Sequence, residues 1–171
     1  MSLQKEPYLT FRVGGRMCAV PVKNVIEVAE SNSISPLPGA PAFVVGIKKF
    51  RQEIVPIIDT VQRLSIPKVP SNDVPNKYAV MFEIPALNGV KKFGALVDKV
   101  LNVVDLNDTD FNTSDATDSS LAGAAFVKGV LTSEEGHFIY ILSPENFFDN
   151  QDLQRIERAM PANSSDDTWM I

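Results

Sequence analysis

The chain has 171 residues, 44% hydrophobic and 22% charged, so it can bury a core and is not compositionally disordered. Sixteen Lys and Arg against 21 Asp and Glu give a net charge of −5, which argues against the basic face of a nucleic-acid binder. One Cys and one His exclude an internal disulfide and any Cys/His zinc cluster.

The first sixteen residues carry Lys5, Glu6, Arg12 and Arg16, with no apolar run of the secretory kind. No segment approaches the roughly 20 apolar residues of a membrane helix, so a soluble cytoplasmic protein is expected. Strands are predicted over 8–13 and 17–21, joined at the turn dipeptide Gly14-Gly15. Cys18, between Met17 and Ala19 in that second strand, reads as an inert core thiol. Glu27 interrupts the apolar run Val25-Ile26-x-Val28 and is placed at or near the surface. Lys48, Lys49 and Arg51 crowd positive charge into Gly46–Gln52, a turn-like stretch of an acidic chain. That spot suits an acidic partner surface, with Arg51 as anchor because its planar fork binds carboxylates bidentately.

A strand follows over 54–58, and Asp59 after it, like Asp98 later, is expected to bond to turn or backbone groups. Residues 62–77, with Pro67, Pro70 and Pro75, read as a connector. Strands are predicted over 78–84 and 93–97, around the turn dipeptide Asn88-Gly89. Residues 105–120 are acidic and read as a solvated loop or strand rim. Within them Asp108-x-Asp110-x-Asn112 begins like a calcium loop. Thr113 stands where that loop needs Gly and Ser119 where it needs Glu, so no metal is assigned. His137 precedes a strand over 138–142 and reads as a turn-flanking surface residue. A helix is expected over about 144–160, with Ser143 as N-cap and Pro144 in its first turn. Leu153, Ile156 and Met160 dock it, Pro161 ends it, and 161–171 form a flexible tail closing on Trp169-Met170-Ile171.

The chain also repeats itself. Val22-Lys23-Asn24-Val25-Ile26-Glu27-Val28 and Val97-Asp98-Lys99-Val100-Leu101-Asn102-Val103 share V-x-x-V-[I/L]-x-V, 75 residues apart. Tyr8-x-x-Phe11-x-Val13 precedes the first copy and Tyr78-x-Val80-x-Phe82-x-Ile84 the second. Phe43–Ile47 then matches Phe126–Val130, and Glu53–Asp59 matches His137–Ser143, at spacings of 83 and 84. Short apolar runs with turn residues between them give an all-β reading. Each copy is best closed as a five-stranded barrel, since closure removes exposed edges. The expectation is one mainly β domain over 7–160 with two barrels sharing a seam. The first barrel spans about 14–66, and the second about 78–143 joined by strand 8–13.

With these elements placed, the stretch Val25-Ile26-Glu27-Val28, then Pro38-x-x-Pro41-x-Phe43-x-x-Gly46-Ile47-x-x-x-Arg51-x-x-Ile54-Val55-Pro56-Ile57-Ile58-Asp59, resembles the CheW-like chemotaxis coupling proteins. Gly94–Val100 and Val127–Val130 fit as well, so the resemblance runs over about residues 7–158. It implies two five-stranded SH3-like barrels and a non-catalytic adaptor without a cofactor. The implied partners are chemoreceptor cytoplasmic tips and the regulatory domain of a CheA-type histidine kinase. It implies Val25, Glu27, Gly46 and Arg51 as functionally sensitive positions, with Val25 and Val100 lining an apolar groove for a receptor helix. A coupling protein of a chemotaxis-like pilus or gliding system fits the same pattern. A small-ligand or nucleic-acid-binding barrel protein is the reading from another class. The family usually carries Asn-Leu-Arg-Gly where this chain has Lys49-Phe50-Arg51-Gln52. Without that Gly a turn of different geometry is expected.

Overall fold

The structure, a computed structural model, describes residues 5–87, 89–107, 109–111 and 126–161. Asn88, the Asp108 and Asn112 positions of the calcium-like pattern, most of the acidic stretch and the Trp169–Ile171 tail lie outside them. The described strands are β1 (Glu6–Val13), β2 (Arg16–Pro21), β3 (Val25–Glu30), β4 (Val44–Phe50) and β5 (Glu53–Ile58). After them come β6 (Tyr78–Ala86), β7 (Gly89–Val97), β8 (Lys99–Leu106), β9 (Val127–Thr132) and β10 (Phe138–Leu142). Helix α1 (Thr60–Leu64) follows β5, and α2 (Asn150–Ala159) lies near the C-terminus. The fold is therefore mainly β, as expected, and every strand read directly from alternation falls inside one of these.

The strands form two five-stranded sheets. Sheet one has the order β8-β1-β2-β10-β9, and sheet two β3-β6-β7-β5-β4. The repeat equates β1 with β6, β2 with β7, β3 with β8, β4 with β9 and β5 with β10. Under that mapping the two orders are identical. Even the one parallel contact in each sheet agrees, β10 beside β2 and β5 beside β7.

The partition differs in part from the expected one: strand 8–13 does join the later strands β8, β9 and β10, but β2 goes with it, and β6 and β7 join the other sheet. Each copy gives its first two strands to one sheet and its last three to the other, so 14–66 and 78–143 are not the two units. Two short crossings cause the exchange. After β2, Pro21 leads a 3-10 turn over Val22–Asn24. Asn24 is buried there, and its amide donates to the Glu83 carbonyl on β6, which carries the chain onto sheet two. After β7, Asp98 does the same in reverse. Its buried carboxylate accepts from Gly14 N at 2.9 Å and Asn76 N at 2.8 Å, while its own N–H donates to the Arg12 carbonyl. The connector is fixed close by, through the Arg12 guanidinium, which grips Asp73 at 2.7 and 3.1 Å. That contact holds the Asp73 carboxyl below its usual range and raises Arg12.

Alternation sorts the strands between three cores. Ala79, Met81, Val55 and Ile57 fill the inside of sheet two, and Tyr8, Ala19, Leu106 and Ile141 that of sheet one. The opposite faces, with Phe11, Cys18, Val80, Phe82, Phe93 and Val97, merge into one large seam between the sheets. Strands buried on both faces explain why β2, β5 and β10 read as nearly continuous apolar runs.

The C-terminal segment plugs this seam, but it begins differently from the expected helix. Ser143 makes no side-chain cap, and Pro144–Asn146 form only a 3-10 turn. Phe147 and Phe148 then both enter the seam, against Phe93 at 5.9 and 4.8 Å between ring centroids. Two consecutive rings aimed into one core interrupt helical geometry. Helix α2 starts afresh at a capping box of Asp149 and Asp152. Its stripe is the expected one, with Ile156 and Met160 buried and Leu153 packed on the seam.

Candidate partner-binding site

Sheet two places Glu27 and Arg51 in contact. Glu27 lies on β3 and Arg51 on the β4–β5 hairpin, at opposite ends of the strand order. Yet Arg51 Nη2 donates to Glu27 Oε1 at 2.7 Å. The sheet is curled far enough for this ion pair to bridge its two ends. The side chains remain 61% and 41% exposed, so the pair contributes at most about 1 kcal/mol to stability. A second pair, Lys92 to Glu53 at 2.9 Å, joins β7 to the start of β5. The Arg51 guanidinium also lies 5.1 Å from the centroid of the Phe50 ring.

The hairpin that carries Arg51 is tight. Phe50 pairs with Glu53, leaving Arg51 and Gln52 as a two-residue loop. Their φ values are 49° and 69°. The chain thus keeps the positive-φ turn that twisted hairpins prefer, without the glycine usually used for it. This corrects the expectation of an altered turn: the sheet imposes the geometry and the side chains accept the strain. Gln52→Gly should therefore raise stability by about 1 kcal/mol, or about 2–4 °C in melting temperature by calorimetry.

The other expected site residues fall around this edge or on the seam. Lys48 is turned aside, donating to the Asn32 carbonyl at 2.6 Å, and Lys49 is exposed on β4. Gly46 has a structural reason to be glycine. Ser35 N donates to Ile47 O at 2.9 Å and Ile47 N to Ser35 O at 2.7 Å, which covers the edge of β4. A Cβ on Gly46 would run into the Ser35 carbonyl oxygen. Its repeat mate Gly129 is crowded in the same way, by the ring of Phe111. Val25 and Val100, also repeat mates, sit opposite Phe82 and Phe11 at matching register shifts. Both are partly buried against the seam core. Val25 shares β3 with Glu27, whereas Val100 belongs to sheet one.

The remaining chemistry is subdued. Cys18 is fully buried, and desolvation pushes its thiol up to about 12, so it is not a nucleophile at neutral pH. His137 is exposed, with Nε2 3.8 Å from Glu135. Asp59 caps α1, accepting from Gln62 N at 3.2 Å. No group of three or more His, Cys, Asp or Glu among the described residues is arranged to hold a metal. No helix among them is long and apolar enough to cross a membrane.

Arg63 on α1 was not singled out by sequence. Its Nε donates to the Phe147 carbonyl at 2.5 Å and its Nη2 reaches Asp152 at 3.4 Å. Its guanidinium also lies 4.7 Å from the Phe43 ring and 5.1 Å from the Phe126 ring. Those two rings are repeat mates, so one cation is clamped between the two copies. No periodicity marks such a residue; only the Phe43–Phe126 correspondence hints that something fills the gap.

Comparison with known proteins agrees with this architecture. The CheW-like domain family matches residues 7–152. The chain is 25% identical over 158 residues to a chemotaxis protein CheW of Treponema pallidum, covering 91% of each. It is 36% identical over 61 residues to protein FrzA of Myxococcus xanthus, covering 36% of this chain and 38% of that one. Its fold is similar to the crystal structure of scaffolding protein TtCheW from Thermoanaerobacter tengcongensis. The TM-score is 0.72 at 23% identity, covering 88% of this chain and 92% of the other.

Proposed function

Since the chain belongs to the CheW-like domain family, we propose that it is a non-catalytic adaptor of chemotaxis signalling. It joins chemoreceptor cytoplasmic tips to the regulatory domain of a CheA-type histidine kinase. The observation that carries the reading is the exposed Glu27–Arg51 pair that bridges the two ends of sheet two. A bidentate-capable guanidinium stands there beside a carboxylate, with Val25 on the same strand. A partner surface can read both charges without disturbing the fold, because an exposed pair adds little to stability. Lys48, Lys49 and Gly46 lie on the adjoining strand β4. Val25 and Val100, each packed on the seam, are proposed as apolar contacts for a receptor helix.

The expected result for Arg51→Glu follows. Partner binding weakens at least tenfold in a titration calorimetry series, since the change reverses a charge at the contact. The melting temperature moves by no more than about 4 °C, the value of one exposed pair. A large melting shift with unchanged binding would assign Arg51 to the fold and remove the site.

A further inference from the structure

The repeat supplies an internal comparison for a second surface. Sheet one holds a groove of about 930 Å³ that opens onto its own small core. Its floor is Met17, Ala19, Val104, Leu106, Leu131 and Ile139. At the corresponding place in sheet two stand the pairs Glu27–Arg51 and Lys92–Glu53. The strand pairings Ile57 beside Gly94 and Ile141 beside Ala19 set the correspondence. Met17 takes the place of Lys92, His137 that of Glu53, Asn102 that of Glu27, and Glu135 that of Arg51. Every member of both ion pairs is replaced, and neither bridge can form. Sheet two inserts its own lysine, whose ammonium ends on a carboxylate. Sheet one has lost that lysine and carries two exposed carboxylates, Glu134 and Glu135, on the β9–β10 hairpin at its mouth. Of the other charges along the groove, Arg12 is neutralised by Asp73 and Arg16 donates to the Pro67 carbonyl. Beside the groove, β8 ends the strand order, and no other described strand pairs with its outer edge.

We propose that this groove is a second docking site, for an extended partner segment with apolar side chains flanked by lysine or arginine. The segment adds along β8, its apolar side chains cover the floor, and its cation reaches Glu134 and Glu135, replacing the missing internal lysine. The site is separate from the Glu27–Arg51 pair and does not depend on the coupling reading.

The test is a nuclear magnetic resonance titration of the whole chain with the blocked peptide Ac-Leu-Thr-Leu-Lys-Leu-Lys-NH2, and with its counterpart carrying Glu for both Lys. The lysine peptide is expected to saturate, to shift the amides of Met17, Val104, Leu131 and Ile139, and to bind at least tenfold more tightly than the glutamate peptide. In the double variant Glu134→Lys, Glu135→Lys, changed only on an exposed hairpin, the preference is expected to reverse. Equal affinity for both peptides, shifts centred away from the groove, absence of saturation, or an unchanged preference in the double variant would each overturn the proposal.

Discussion

Val97→Asp is expected to leave no cooperative fold. Val97 is 0% exposed, closes β7 opposite Tyr78, and faces the seam that both sheets share. An aspartate there would sit inside an aromatic and aliphatic core. Burying an unpaired charge costs several kcal/mol, comparable with the 5–15 kcal/mol that holds a typical domain together. The position also precedes Asp98, the crossing that hands the chain from sheet two to sheet one. Because the copies are interlaced, damage here is not confined to one unit, and both sheets should be lost together. Circular dichroism should show no cooperative thermal transition. A folded protein with one sheet melting separately would contradict the interlaced architecture.

Arg63→Ala is expected to cost about 3 kcal/mol, or about 6–12 °C in melting temperature, although Arg63 touches neither proposed binding surface. The side chain donates to the Phe147 carbonyl, reaches Asp152 in the capping box, and lies over Phe43 and Phe126. A hydrogen bond from a charged donor contributes about 1.5–3 kcal/mol and each ring contact about 0.5–1. Truncation removes them together and leaves the Phe147 carbonyl without that donor. Arg63→Lys should recover less than half of the loss, because a lysine cannot present a planar fork to two rings and two acceptors at once. Thermal melting of the two variants checks this. Full recovery by lysine would mean that the site needs charge alone.

The two copies were legible because their apolar spacing, V-x-x-V-[I/L]-x-V, survives in both. Their exchange was not legible. Alternation says which face of β2 is buried, and both faces are, but it does not say which sheet β2 joins. That choice rests on Asn24 and Asp98, each making long-range bonds to backbone groups that no local pattern encodes. The candidate site shows the same division. Charge clustering pointed to Arg51, and its place in the apolar run to Glu27. Their contact across 24 residues depends on sheet curvature. Gly46 stands out in sequence only by its place in a motif, and the close Ser35 backbone supplies its physical reason. Ser143-Pro144 is a good cap signal in itself, yet α2 starts only at Asn150. The burial of Phe147 and Phe148 overrode it.

The adaptor reading is tested most directly by crosslinked affinity capture from the native cell, with the wild-type chain beside Arg51→Glu. Wild type is expected to retain a chemotaxis-type histidine kinase and a helical-hairpin receptor, and Arg51→Glu to lose them while its melting temperature moves by no more than about 4 °C. A pilus or gliding kinase in the same pattern would keep the mechanism and reassign the pathway. Recovery of neither partner by wild type, or equal recovery by the variant, would contradict the coupling role at this site.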